Sequence, residues 1–429
     1  MVKRNRVVVT GMGVLAPNGI GLDAFWSSLL SGQSGIGPIT FFDATGMQSR
    51  IAGEITDFKP LDYIEPQLKP NRMARHTQLA YSAAVMAIRD AGLEICEADL
   101  PSPTPVVVGV STSAMDIIER SISGFQERGM PGISPTAVGA LTPQAAANVI
   151  ADRIGTHAHA TTVSSACPSG LDAVAVAAKL IQAGDAELAI AGGADAPITK
   201  HTFAAFTVSG LSSCRNGEPE KASRPFDLER DSGVISEGAG MFVLENLERA
   251  EARGARIYLE ISGYARQRDH TTEAPGSGLV DTMRLALANA ALTENDVDYI
   301  SAYGPGHPVL DAAEVQYIKE VFGRRAYLIP ISSIKGVTGN PLAAGGPMQL
   351  AASALSFRDQ LIVPTANYEF EDPECDLDFV PLHPRKQKLN CILINVRGLG
   401  GSTTSLVVQR VHTNNNGRNG TQSAAKRAT

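Results

Sequence analysis

The run Ala160-Thr-Thr-Val-Ser-Ser-Ala-Cys167-Pro-Ser-Gly-Leu-Asp-Ala-Val-Ala-Val-Ala-Ala-Lys-Leu-Ile-Gln-Ala-Gly184 changes character twice. Its β-branched start reads as a buried strand. A corner of small residues follows. Pro168 suits the first helical position, and the Ala/Leu-rich run ends at Gly184, a helix stop. Cys167 therefore falls at a helix N-terminus, where free N–H groups and the macrodipole favour a thiolate. This is a metal-free route to a sulfur nucleophile. The same residue equally suits a small apolar filler at a strand–helix corner.

Around this corner lies a chain of 429 residues, rich in Gly and Ala and poor in aromatics, long enough for two core-sized units. No apolar run reaches membrane-spanning length, and Met1-Val-Lys-Arg-Asn-Arg leads straight into a strand. The expected location is cytoplasmic, with no membrane partner. Cys96, Cys167, Cys214, Cys375 and Cys391 are scattered, with neither zinc nor disulfide spacing. No metal site and no cofactor are expected. A net charge of −7 argues against nucleic acid as the main partner.

Arg6 to Leu15 is a strand running into Gly-Met-Gly, but the third glycine and the later acid of a dinucleotide loop are misplaced. Leu22 to Leu30 is a short helix with the only tryptophan, Trp26, as packing anchor. Thr77 to Gly92 is an amphipathic helix, and Pro105 to Val110 a buried strand. Ile122 to Pro143 reads as a mobile lid or dimer loop, Ala186 to Gly193 as a strand, and Thr199 to Glu237 as a long irregular excursion.

The second half echoes the first. Ala87-Ile-Arg-Asp-Ala-Gly-Leu93 resembles Ala286-Leu-Ala-Asn-Ala-Ala-Leu292. Val337-Thr-Gly-Asn340 with a helix from Gly345 to Phe357 mirrors the Cys167 corner, and Cys391 to Val396 mirrors Glu187 to Gly192. Two duplicated α/β halves with mostly parallel strands follow, and ligands bind at strand ends where the halves meet. The expected division is 1–250, carrying the nucleophile, 251–412, and a disordered polar tail at 413–429.

Several motifs in order resemble the β-ketoacyl-acyl-carrier-protein synthases of the thiolase superfamily. They are Val8-Val-Thr-Gly-Met-Gly-Val14, Phe25 to Ile36, Ser165-Ala-Cys-Pro-Ser-Gly170, Ser223-Arg-Pro-Phe-Asp227 with Ser236-Glu-Gly-Ala-Gly240, and Asp376-Leu-Asp-Phe-Val-Pro381. The resemblance spans about residues 5 to 410. It implies a thiolase-like five-layered α-β-α-β-α fold and a dimer formed through the strand before the nucleophile. It also implies acyl carrier protein, bearing phosphopantetheine thioesters, as partner. In such synthases a cysteine accepts the acyl chain, and two histidines hold the malonyl thioester and promote decarboxylation.

Position by position, Cys167 matches the nucleophile. Tyr303 stands at the first histidine and Asn340 at the second. Lys335 and Glu314 match the family's structural and electrostatic pair. Arg397 replaces the phenylalanine that gates the acyl pocket. His307 lies four residues past Tyr303, either close enough for a loop shift to bring it to the vacant site or simply at the surface. His270 and Thr272 fall where the family has a His-x-Thr near the pantetheine entrance. His76, His157, His159, His201, His383 and His412 have no metal spacing.

The departures resemble a chain-length factor, the non-condensing partner of a ketosynthase in type II polyketide systems. Tyr303 to Glu314, Pro347 to Ala352, Val396 to Gly401 and Ala16-Pro-Asn-Gly19 carry that likeness. Such factors of the aromatic systems usually have glutamine at the nucleophile, whereas this chain keeps cysteine. Losing a positioned acid–base group lowers rate by about 10²–10⁴. The resemblance thus implies impaired decarboxylative condensation, in a heterodimer with an active ketosynthase. The alternative is a homodimeric, atypical 3-oxoacyl-ACP synthase or acyltransferase using Cys167.

Overall fold

A computed structural model describes residues 4–95, 99–101, 103–155 and 159–411. The expected tail, Cys96, His157 and His412 lie outside the described residues. Ten strands carry the fold: β1 (Val7–Ala16), β2 (Val106–Gly109), β3 (Ala160–Val163), β4 (Leu188–Asp195), β5 (Gly238–Asn246), β6 (Leu259–Arg268), β7 (Tyr299–Ser301), β8 (Ile331–Ser332), β9 (Cys391–Arg397) and β10 (Ser402–Gln409).

They lie in the order β3-β2-β4-β5-β1-β6-β10-β9-β7-β8. Adding five to each label of the first half gives the second half, so the duplication seen in the sequence is a duplication of topology. A short antiparallel contact, Val7 to Ile261 through Val9 to Leu259, joins the halves.

The halves are mixed rather than mostly parallel. In the first, β2 runs parallel to β3 and β4, while β4–β5 and β5–β1 are antiparallel. The second half repeats this pattern. One cause is local: β9 ends at Arg397 and β10 starts at Ser402, a link too short for the crossover that parallel strands need.

Helices fill the remaining layers. Among them, in chain order, are α1 (Leu22–Ser31), α2 (Arg75–Asp90), α3 (Met115–Arg128), α4 (Ser169–Ala183), α5 (Lys200–Val208), α6 (Gly278–Asn289), α7 (Pro308–Phe322) and α8 (Gly345–Asp359). α4 and α8 form the middle layer of the thiolase-like arrangement. α8 is buried from Gly345 through Phe357, and α4 touches both it and the first-half strands. Small side chains let these helices fit between sheets, which accounts for the abundance of Ala and Gly. α2 packs outside the first half and α6 outside the second. β1 is buried at all ten positions, as befits a strand covered on both faces. Trp26 is buried on α1, and its Nε1 donates to Asp359 at 2.7 Å.

Two segments differ from expectation. Ile122 to Pro143 is mostly ordered as α3, the turn Met130–Gly132 and the helix Ala137–Leu141. Its glycines permit close approach, since a Cβ on Gly132 would lie 1.8 Å from the Gly124 carbonyl oxygen. The excursion from Thr199 contains α5, whose first turn is held from a distance. Glu119 accepts from the Thr199 hydroxyl and from the His201 and Thr202 N–H groups.

Candidate active site

The parallel strands β3, β7 and β8 deliver the site at their carboxyl ends. Cys167 occupies the turn from β3 into α4. Pro168 is the N-cap, with Ser169 the first helical residue. Ala166 just before adopts φ +63°, and the Ser169 hydroxyl donates to its carbonyl. Gly398 packs against this corner. A Cβ there would lie 2.7 Å from Pro168 Cδ and 2.9 Å from Ala166 Cβ.

Cys167, Tyr303, His307, Asn340 and Arg397 line one cavity, together with Phe206, Leu211, Ile235, Leu310, Leu342 and Leu399. Its water-accessible space is about 30 Å³, room for one or two waters. Cys167 is 3% exposed. The Tyr303 hydroxyl donates to its sulfur at 3.8 Å.

Lys335 and Glu314 grip the main chain of Tyr303. Glu314 accepts from the Tyr303 N–H at 2.9 Å and the Gly304 N–H at 2.8 Å. The Lys335 ammonium donates to the Tyr303 carbonyl at 2.5 Å and lies 4.6 Å from its ring centroid. Asn340 is fixed by its own main chain, its N–H donating to the Val234 carbonyl at 2.7 Å. Its side-chain oxygen is buried without a hydrogen-bond partner.

Arg397, at the end of β9, pairs with Asp269 through Nη2 at 2.8 Å and Nε at 3.2 Å. Sequence reading had no route to Asp269. The apolar wall residues were likewise missed, since no motif marks them.

His307 lines the cavity while capping α7, its Nδ1 accepting from the Val309 N–H. His270 and Thr272 are exposed and absent from the cavity wall. His270 pairs with Asp281 at 2.8 Å, and Thr272 donates to Glu273.

The electrostatics disfavour proton removal. Burial pushes the Cys167 thiol up, against the weaker opposing pull of the Tyr303 hydroxyl. Helix-end stabilisation is therefore outweighed by desolvation. Burial and the neighbouring sulfur hold the Tyr303 phenol well above its ordinary value. Burial, then Arg397 and Arg230, lowers His307 below its ordinary value, leaving the imidazole neutral near pH 7. Burial brings Lys335 down to about 8, but its nitrogen is engaged by the Tyr303 carbonyl. The arrangement can hold a thioester at a buried sulfur, an amide and a phenol. Among the described residues the side chain hydrogen-bonded to that sulfur is the Tyr303 phenol, which is no base near neutral pH.

A buried cysteine at a strand–helix corner between duplicated α/β halves defines the thiolase-like ketosynthase class. Two family patterns match this chain: Beta-ketoacyl synthase, N-terminal domain, over residues 4–250, and Beta-ketoacyl synthase, C-terminal domain, over residues 258–369. The chain belongs to the β-ketoacyl synthase family.

It is 38% identical, over 94% of its length and 97% of the relative's, to the tetracenomycin polyketide synthase ketoacyl synthase alpha subunit of Streptomyces glaucescens. It is 37% identical to 3-oxoacyl-[acyl-carrier-protein] synthase 2 of Coxiella burnetii, over 95% and 99% of the two chains. Among solved structures it resembles the ishigamide ketosynthase/chain length factor, with TM-score 0.88, 32% identity, and 95% and 100% coverage. It also resembles a type II polyketide synthase acyl-carrier protein in complex with its ketosynthase bound to the hexaketide, with TM-score 0.87, 31% identity and the same coverage.

Proposed function

We propose that this chain is a subunit of type II polyketide or fatty-acid biosynthesis that holds or shapes an acyl chain rather than extending it. In this reading it pairs with an active ketosynthase as a chain-length factor does, in the cytoplasm, and meets an acyl carrier protein. The two halves, 1–250 and 251–412, form the walls of the acyl site. The observation that carries the reading is the contact between Cys167 and Tyr303. The hydrogen-bond partner of the sulfur is a phenol held above its ordinary value, and the cavity that holds both is also lined by the Asn340 amide. Neither takes a proton at neutral pH.

Two further features support it. β3 ends the sheet with an open, partly exposed edge, suited to strand pairing with a second ketosynthase fold. One structural relative is a ketosynthase/chain length factor, and another binds an acyl-carrier protein. Within this reading Tyr303 and Asn340 stand in for the two histidines, and Lys335 and Glu314 position Tyr303. His307 completes the wall. His270 and Thr272, directly after Asp269, meet the carrier arm. Co-expression with a ketosynthase partner tests the pairing. A heterodimer is expected; a tight homodimer that ignores such partners refutes it.

Retention of Cys167 favours a second reading, an atypical 3-oxoacyl-ACP synthase or acyltransferase acting as a homodimer. Incubation with acyl-carrier thioesters and intact-mass measurement tests it. An adduct lost in Cys167→Ala supports it, and absence of any adduct removes it.

A further inference from the structure

We propose that the Cys167 cavity selects acyl groups ending in a carboxylate, with Arg397 as the residue that reads the acid. This rests on the reading of Cys167 as an acyl acceptor.

The cavity wall is apolar except at a few points, and among the described residues that line it Arg397 alone carries a full charge at neutral pH. The residue is held at the end of β9, where its backbone pairs with Thr403 across the hairpin. Asp269 engages it from one side with a single oxygen, Oδ2, against Nε and Nη2. Nη1 has no hydrogen-bond partner among the described residues, so part of the guanidinium fork is free. Both members of the pair are largely buried, at 14% and 7% exposure. A buried ion pair is seldom retained for stability, because an apolar pair of similar volume does as well or better. A guanidinium set among Leu310, Leu342 and Leu399 is better explained by an anion that enters the cavity.

The second observation is Asn340. Its buried side-chain oxygen lacks a partner on the same wall, so this acceptor is open to an N–H donor on a guest. The cavity then offers three points: the Cys167 sulfur, the Asn340 amide and the Arg397 guanidinium. A diacid monothioester of pantetheine offers three to match, namely its thioester carbon, an amide N–H of its arm and its distal carboxylate. The cavity holds about 30 Å³, less than such an acyl group fills, so entry requires the wall to open, with Arg397 Nη1 the donor left for the carboxylate.

Loading is a thioester exchange. The carbon–sulfur bond to the carrier thiol breaks and the bond to Cys167 Sγ forms. The Cys167 proton leaves on the released carrier thiol, and nothing is oxidised or reduced. Once the guanidinium holds the carboxylate, it stabilises the ionised acid and opposes loss of carbon dioxide.

The test compares succinyl-pantetheine with butyryl-pantetheine, which share chain length and differ in the terminal acid. Binding is measured calorimetrically on full-length Cys167→Ala, and acylation by intact mass on the wild type. The expected result is about a tenfold or greater preference for succinyl in both, the scale of one charge-assisted hydrogen bond. In the calorimetric background Arg397→Leu removes the preference, Arg397→Lys keeps part of it, and Asp269→Asn enlarges it by removing a competing charge. Circular dichroism and the retained binding of butyryl-pantetheine exclude misfolding. Equal binding of the two, no binding of either, or a preference that survives Arg397→Leu overturns the inference. Acylation by both thioesters alike overturns it while upholding Cys167 as acceptor. A succinyl preference in binding without acylation upholds the selection and removes the acceptor role.

Discussion

The alkylation rate of Cys167 as a function of pH measures the balance on which the functional reading turns. An unshifted thiol at 9.0 is about 1% ionised at pH 7. Burial moves Cys167 above that value, so the reactive fraction at pH 7 is smaller still and gains tenfold per pH unit. The Tyr303 hydroxyl acts the other way, because its donation to the sulfur at 3.8 Å favours the thiolate. A weak sulfur-accepting bond of ~0.5–1 kcal/mol corresponds to about a two- to fivefold change in rate. Tyr303→Phe therefore slows alkylation two- to fivefold at fixed pH while preserving ring volume. Iodoacetamide with peptide-resolved mass spectrometry gives both quantities, and exposed Cys214 serves as internal reference. An inflection below pH 9, or faster alkylation in Tyr303→Phe, refutes the view that the sulfur rests as a thiol steadied by the phenol.

Three other perturbations give separate readouts. Tyr303→His restores an imidazole beside the sulfur and raises malonyl decarboxylation by at least about 10²-fold, measured as released carbon dioxide; an unchanged rate removes Tyr303 as the limiting replacement. Gly398→Ala places a Cβ 3.1 Å from the Cys167 nitrogen and 2.7 Å from Pro168 Cδ. This overpacking costs about 1–3 kcal/mol by chemical denaturation, and a neutral result means that the corner yields. Burial raises the Asp195 carboxyl from 3.8 to about 6. Its contribution is full below the unfolded value and lost as pH rises through about 6. Wild-type stability therefore falls between pH 4 and 6 relative to Asp195→Asn, by on the order of 3 kcal/mol, and parallel profiles contradict the shift.

The fold was legible where burial leaves a local signature. β1 is a run of apolar and small residues because both faces are covered, and the echo of Ala87–Leu93 in Ala286–Leu292 marks the ends of α2 and α6. Strand direction left no such mark, since β4–β5 pairing joins residues far apart in the chain. α5 was hidden for a related reason. Its sequence is rich in Thr, Phe and other poor helix formers, and its first turn is satisfied by Glu119 from another element. A glycine read as flexibility in Gly124 and Gly132 is in fact two backbones in contact.

The site divides along the same line. Cys167, Tyr303 and Asn340 each come after a strand and Arg397 ends one, all beside glycine-containing turns, so motif and position together exposed them. Asp269 became visible only through pairing. The register of Ser402 with Arg268 and the Asp269 N–H donated to the Gly401 carbonyl at 2.7 Å bring it beside Arg397. The charge state of the sulfur needed a comparison of magnitudes that local sequence cannot make. A helix N-terminus stabilises an anion by at most ~2 kcal/mol, roughly one and a half pK units. Full burial opposes it by up to about 3–5 units. Because Cys167 is enclosed and its side-chain partner is only the Tyr303 phenol, desolvation prevails and the sulfur rests protonated. On the proposed reading its chemistry is then set by what enters the cavity, and the charge of Arg397 is the feature expected to distinguish one acyl group from another.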